Sequence, residues 1–519
     1  MTADADRVFV NGKLFTSNQE RPWARAMAIR GERIVAVGTN AHAERWVGRR
    51  TTVIDLRGHV VLPGFIDAHA HLADAAGERA WVRLGSRPSL ETAVESLRRA
   101  AARVSPGSWV FAVDWDESKW PERRYLRRED LDRASRDRRI VAVRVDRHMA
   151  SLNGAALEAV PDLVAERGYG VDAAGRPTGI LAEDALGRLW ERVGAPESAI
   201  WSGLPAVAKK AQRLGITSIH DIVDLRGWRA YQRAHRSGRL QLRVTAMLRD
   251  ELLPALTASG VMTGLGDPWL RLGAIKIFAD GSLGAHTAAL SAPYADRAGE
   301  RGMLLHSREE LREVLDRAHR AGFQTATHAI GDEAIDRVLD AFEEILQETP
   351  RRDARHRIEH YELPTDGALD ETRALGILAS CQPNFVGQWS APGALYETRL
   401  GPERSSRNNP YGRILRMGIR LCFGSDGMPY GPLYGIHAAV NGFHRSQAIS
   451  VEEAIQAYTI GGAYASFEEG LKGTLEPGRL ADFVVIDGDP FREPHRIRRM
   501  RVRSTWIGGA RVFPSKPKS

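Results

Sequence analysis

The histidines His69 and His71 stand two residues apart at the end of the apolar stretch Val60-Val61-Leu62-Pro63-Gly64-Phe65-Ile66-Asp67-Ala68-His69-Ala70-His71-Leu72. Read as one buried strand, the stretch places Asp67, His69 and His71 on one face and Ile66, Ala68 and Ala70 on the other, because side chains alternate across a strand. Two imidazoles so placed can grip one metal ion, although neighbouring histidines are also ordinary polar residues at a strand end. Lys276, between Ile275 and Ile277, is the second unusual residue. An isolated ammonium in a strand buried on both faces is expensive, so its pKa should fall. A neutral buried amine can capture carbon dioxide as a carbamate, whose two oxygens can bridge two divalent ions. A lysine paired with an acid such as Asp280, or one that forms an imine, are the other readings.

The elements that must position these residues are short apolar runs alternating with helical patterns, the signature of βα units and a parallel sheet. After the first strand come Ile216–His220, Leu242–Met247, Leu272–Phe278, Gln324–His328, His356–His360, Ile377–Gln382 and 420–426, which makes eight. Between them, Asp332 to Leu346 carries Ile335, Val338, Leu339, Phe342, Ile345 and Leu346 on one helical stripe. The pattern predicts an α/β protein built on a (β/α)8 TIM barrel with its active site at the C-terminal ends of the strands. On that map His69 and His71 end the first strand, Lys276 lies in the fourth, His328 ends the fifth, His360 the sixth and Asp426 the eighth. One rim would then gather all six.

The first sixty residues read as short strands divided by Asn11-Gly12 and Arg30-Gly31, which favour hairpins and a small antiparallel unit. The last fifty repeat the style, with Phe483–Ile486 and Val502–Ile507. The two ends are expected to fold together as a composite β-sandwich, residues 1–59 and 473–519, around a barrel body of 60–472. An insertion at about 73–205 is too long for a bare loop and should form a subdomain over the barrel mouth. Its aromatic cluster, Trp109, Trp115, Trp120 and Tyr125, could line a substrate pocket or simply pack a core.

Composition narrows the function classes. A chain of 519 residues with 43% hydrophobic content has material for more than one core. Its formal charge of +8 is spread over many arginines with no basic tail, which argues against nucleic acid as a partner. No apolar run reaches the ~20 residues of a membrane span, and the acidic start Met1-Thr2-Ala3-Asp4-Ala5-Asp6 lacks an export signal. Only two cysteines occur, Cys381 and Cys422, both inside apolar runs, as in a reducing compartment. A soluble cytoplasmic protein acting on a small molecule is expected, with a homodimer as the default assembly.

In order along the chain, Pro63-Gly64-Phe65-Ile66-Asp67-Ala68-His69-Ala70-His71, Ile275-Lys276-Ile277-Phe278-Ala279-Asp280-Gly281-Ser282-Leu283-Gly284, Thr327-His328-Ala329-Ile330-Gly331-Asp332, Arg357-Ile358-Glu359-His360, Gly424-Ser425-Asp426 and Gly478-Arg479-Leu480-Ala481-Asp482-Phe483-Val484-Val485 resemble the amidohydrolase superfamily. Within it the chain is similar to amidohydrolase family 3, which includes proteins like N-substituted formamide deformylase, and the likeness runs nearly end to end. The resemblance implies one ion held by His69, His71, Lys276 and Asp426 and a second by carbamylated Lys276, His328 and His360. Zinc suits these ligands, and iron, manganese, nickel or cobalt would also fit. Asp426 is then the candidate base in hydrolysis of a non-peptide C–N bond, with a turn-capping aspartate as its other reading. His220, Asp280 and Trp115 are candidate substrate contacts, while His148 and Glu183 in the insertion are weaker ones. A mononuclear deaminase-type C–N hydrolase and a non-catalytic barrel scaffold are the competing functions.

Overall fold

Apolar runs rich in Ile, Val, Leu and Ala, bounded by glycine and polar turns, form one eight-stranded parallel sheet in the computed structural model, which describes residues 4–514. The outermost residues assigned above to the composite domain, 1–3 and 515–519, lie outside that range. The barrel strands are β1 (Phe65–Ala70), β2 (Ile216–Val223), β3 (Arg243–Arg249), β4 (Leu270–Phe278), β5 (Thr325–Ala329), β6 (Arg357–His360), β7 (Leu378–Cys381) and β8 (Leu421–Phe423). They neighbour one another in chain order, each parallel to the next. The helix Asp332–Glu348 buries Ile335, Val338, Leu339, Phe342 and Ile345 against the sheet, and Leu346 is only half-buried. Cys381 and Cys422 are buried and free on adjacent strands.

The stretch Val60–Leu72 is not one strand. Val60–Pro63 pairs antiparallel with Phe483–Ile486 and parallel with Lys13–Phe15, whereas Phe65–Ala70 joins the barrel. Gly64 is the switch, because a Cβ there would lie 2.3 Å from Thr217 Oγ1. The chain therefore passes from one sheet to the other within a single residue, and the barrel begins at Phe65 rather than at residue 60.

Between β1 and β8 no ladder of backbone bonds closes the cylinder. The seam is clamped instead by Asp67, whose carboxylate accepts from Ser425 N (2.8 Å) and Ser425 Oγ (2.5 Å), and by Asp426 N donating to His69 O (2.9 Å). Gly424 makes the close approach possible: a Cβ there would sit 2.4 Å from His69 N.

Both chain ends build a second structure beside the barrel. One four-stranded sheet is made from residues 7–55, and a six-stranded sheet interleaves 13–15, 23–24 and 60–63 with 483–486, 502–507 and 510–513. Phe9 from the first meets Phe483 and Trp506 from the second edge-on, at 5.1 and 5.0 Å between ring centres. The Arg30-Gly31 turn joins a hairpin as its sequence predicts. Asn11-Gly12 does not: Asn11, at φ 58°, turns the chain out of one sheet into the other, and Arg7–Val10 pairs parallel with Thr52–Asp55. Arg243, at the start of β3, ties this module to the barrel through Asp482, with Nε and Nη2 donating at 2.6 and 3.0 Å in a buried bidentate pair.

After β1 the chain builds a six-stranded mixed sheet over residues 82–182. Trp115 and Trp120 pack in its core, so the aromatic cluster is structural. The insertion ends earlier than residue 205. Helix Glu197–Arg213 buries Ile200, Leu204, Val207, Ala208 and Ala211 in the same apolar cluster as β1 and β2, which makes it part of the barrel wall, with Pro205 exposed inside it.

Removing one member of a buried ion pair strands the other's charge. Asp482→Ala should therefore lower stability by about 3–5 kcal/mol. Arg188→Ala, at an exposed pair with Glu191, should change it by about 0–1 kcal/mol. Denaturant titration followed by tryptophan fluorescence checks both.

Candidate metal centre

The residues expected to act together do converge on one rim of the barrel. His69 Nε2 lies 3.9 Å and His71 Nε2 3.2 Å from Asp426 Oδ1, and one ligand atom from each of these three residues falls within 4.8 Å of the others. His360 sits beside this group, its tilted ring centred 4.8 Å from that of His69, and His328 is 4.3 Å further on. Lys276 is fully buried, with its Nζ 4.5 Å from the centre of the Phe278 ring. Its register neighbour on β5 is Ala326, two residues before His328, which brings lysine and histidine to the same end of the sheet.

Strand geometry supplies these positions and buried partners lock them. Glu359 Oε2 accepts from His69 Nδ1 at 2.5 Å, which leaves Nε2 facing Asp426. Burial opposes a charge on Glu359, but Arg357 and His69 hold its pKa well below the carboxylate range. Arg357 donates to both Glu359 oxygens, to Ser380 Oγ and to Ala68 O, and its Nη1 donates to His220 Nδ1 at 3.0 Å. Asp280 carries three backbone donors, Ala289 N, Ile330 N and Gly331 N, at 2.9–3.0 Å, and lies 3.5 Å from His328.

The electrostatics follow from dense burial of titratable groups. Burial drives the Lys276 ammonium down to about 8 against the pull of Glu359 and Asp426. Burial together with nearby cations pushes His328 and His360 far below the usual imidazole range, so both are neutral. Burial would lower His71 too, but Asp426 and Asp74 raise it to about 9. For Asp426 burial is outweighed by His69, His71 and Lys276, and its pKa falls to about 2. A cation bound here must therefore displace the His71 proton.

Does this set suit divalent ions? Lys276 Nζ and His360 Nδ1 are buried atoms with no hydrogen-bond partner. Unpaired buried polar groups are costly and rare, so two of them beside a His-His-Asp cluster call for a further electron-pair acceptor. The His69–Glu359 bond is also the arrangement that orients a ligating imidazole. The residues fit a metal centre.

Three sequence-based assignments change. Trp115 is fully buried in the inserted sheet, its indole N–H donating to Ala142 O, and it cannot contact substrate. His220 lies inside the barrel against Arg357 rather than on the cavity wall, because its strand position faces the interior below the rim. Asp280 is a loop organiser, its oxygens committed to three backbone N–H groups. Conversely His148, set aside above as weak, lies 4.9 Å from His328 between ring centres. Its Nδ1 donates to Glu183 Oε2 at 3.0 Å, and this pairing raises it to about 9 although burial works the other way. The clue in the sequence is a histidine just beyond an apolar strand, in Val145-Asp146-Arg147-His148, but only the fold shows which rim it reaches.

A cavity of about 380 Å³ opens onto His69, His71, His328, His360 and Asp426, with Trp81, Trp190 and Phe278 along its wall. Comparison with known proteins agrees with what this geometry implies: the amidohydrolase family profile matches residues 52–513. The chain belongs to the amidohydrolase family. It is 30% identical to the Bacillus subtilis protein YtcJ, over 98% of this chain and 99% of that one. It is 26% identical to N-substituted formamide deformylase of Arthrobacter pascens, over 98% of each. An uncharacterized metal-dependent hydrolase from Pyrococcus furiosus superposes with a TM-score of 0.74 at 30% identity, covering 93% of this chain and 99% of the other. A hydrolase in a metal-dependent family is thus established.

Replacing the carboxylate that orients His69 should weaken the centre without emptying the barrel. Glu359→Gln is expected to lower metal affinity roughly 10–100-fold. Competition against a fluorescent zinc chelator reads that change directly.

Proposed function

We propose that the protein hydrolyses a non-peptide C–N bond of amide type in a small molecule at a two-ion centre. The observation that carries this reading is the unpartnered Nζ of fully buried Lys276 among His69, His71, His328, His360 and Asp426. Lys276 Nζ adds to carbon dioxide with loss of one proton, giving an anionic carbamate in place of a stranded amine. Divalent ions held by His69, His71, Lys276 and Asp426 on one side and by Lys276, His328 and His360 on the other would acidify water and polarise a carbonyl.

The chain's own groups do the rest. Asp426, kept ionised at neutral pH, accepts the proton of the attacking water at Oδ and passes it to the departing nitrogen. His148, held cationic by Glu183 at the rim beside His328, donates to the substrate oxygen as negative charge develops there. Trp81, Trp190 and Phe278 supply an apolar wall that excludes water and orients the acyl side. The names of the deformylase and hydrolase relatives support C–N hydrolysis as the reaction class.

One observation favours a second reading, a single ion as in deaminase-type hydrolases: among the described histidines and acids, His69, His71 and Asp426 bring ligand atoms within 4.8 Å of one another. Metal analysis separates the two. The two-ion centre predicts two divalent ions per chain in the wild type and a sharp fall in Lys276→Ala, whereas one ion, retained in that variant, supports the alternative. Asp426→Asn should lower kcat by roughly 10²–10⁴-fold. A hydrolysis screen over N-formyl, N-acyl and cyclic amides, with zinc and manganese supplied separately, provides the assay.

A further inference from the structure

Three arginines line the cavity that opens onto the metal centre, and two of them are already paired. Arg147 donates from both terminal nitrogens to Glu78, at 2.5 and 2.8 Å. Arg226 Nε donates to Asp224 at 2.7 Å. Arg249 makes no ion pair with any described residue, and its Nε is buried without an acceptor. It ends β3 in register with Lys276 on β4, so the free guanidinium stands at the level of the reactive groups.

Taking the amide-hydrolase reading above as the basis, we infer that Arg249 is the anion-binding residue of this site and that the substrate carries a carboxylate. A guanidinium presents a planar fork of donors that a carboxylate matches with two parallel hydrogen bonds, and a buried donor gains most from such a partner. The acids nearby do not fill the role. Asp74 is held by His71 at 3.3 Å, and Asp250 and Glu251 feel the charge of Arg249 from beyond pairing distance. The neighbouring cavity, of about 650 Å³, shares His71, Arg147 and Asp426 with the first and extends outward past Arg79, Lys119 and Lys210. Arg79 and Lys210 are exposed and have no ion pair among the described residues. Basic side chains outnumber carboxylates along this outer cavity, which favours entry of an anion, whereas the inner wall also carries Asp184, Asp224, Asp250 and Glu251, so the selectivity comes from the fork of Arg249.

Calorimetric titration of the metal-loaded protein with 4-phenylbutyrate, and with the uncharged 4-phenylbutanol, tests the assignment. Wild type should bind the carboxylate at least about tenfold more tightly than the alcohol. Arg249→Met should lose that preference, and Arg249→Lys, which keeps the charge without the fork, should lie between. Metal content and circular dichroism, measured on each variant, are expected to match wild type. A carboxylate held by the ions alone would bind wild type and Arg249→Met equally, and that result overturns the inference, as does wild type with no preference for the carboxylate. Failure of the two-ion reading would show separately, in the metal analysis of wild type, and leaves this comparison intact.

Discussion

A carboxylate buried away from water, Glu359, sets the interior of this barrel. It stays charged only because Arg357 and His69 surround it, and Ser380 Oγ adds a third donor at 2.8 Å. The same Arg357 reaches Ala68 O on β1 and His220 on β2, so one ionic cluster ties β1, β2, β6 and β7 together below the rim. Desolvation makes every member dependent on the others, since a single deletion leaves an unpaired charge in a low-dielectric core. The His69 ring at the candidate metal centre is thereby fixed by the groups that hold the strands.

Much of this was legible from residue order. A strand-end histidine is weak evidence alone, but His69, His71, Lys276, His328, His360 and Asp426 fall in or just after five of the eight apolar runs, and alternation along a strand then dictates which side they face. Two things were not legible. The sheet switch at Gly64 depends on a close approach to Thr217, a residue far away in sequence, and nothing local distinguishes Val60–Pro63 from the strand that follows. Trp115 failed as a pocket residue because an aromatic ring reads the same whether it packs a core or faces a cavity; its buried bond to Ala142 O decides the matter. Arg249 carries no signal in the sequence, one arginine among many, because its lack of an ion-pair partner among the described residues shows only in the fold.

The inserted sheet does more than cover the mouth. Arg144 is clamped by Glu117 and Asp146, Asp146 accepts from Ser282 Oγ at 2.5 Å, and Arg399 reaches Glu117 at 2.9 Å. This buried network joins the insertion to the loop after β4 and to the helical segment after β7. His148, on the same turn as Asp146, is held in place by that network and faces His328. Insertion and barrel thus share one electrostatic frame.

The segment Val60–Pro63 runs straight into the strand that carries His69, and it is gripped on one side by Phe483–Ile486. A loosening of that pairing would therefore pass along one continuous backbone, through Gly64, to the strand that carries His69.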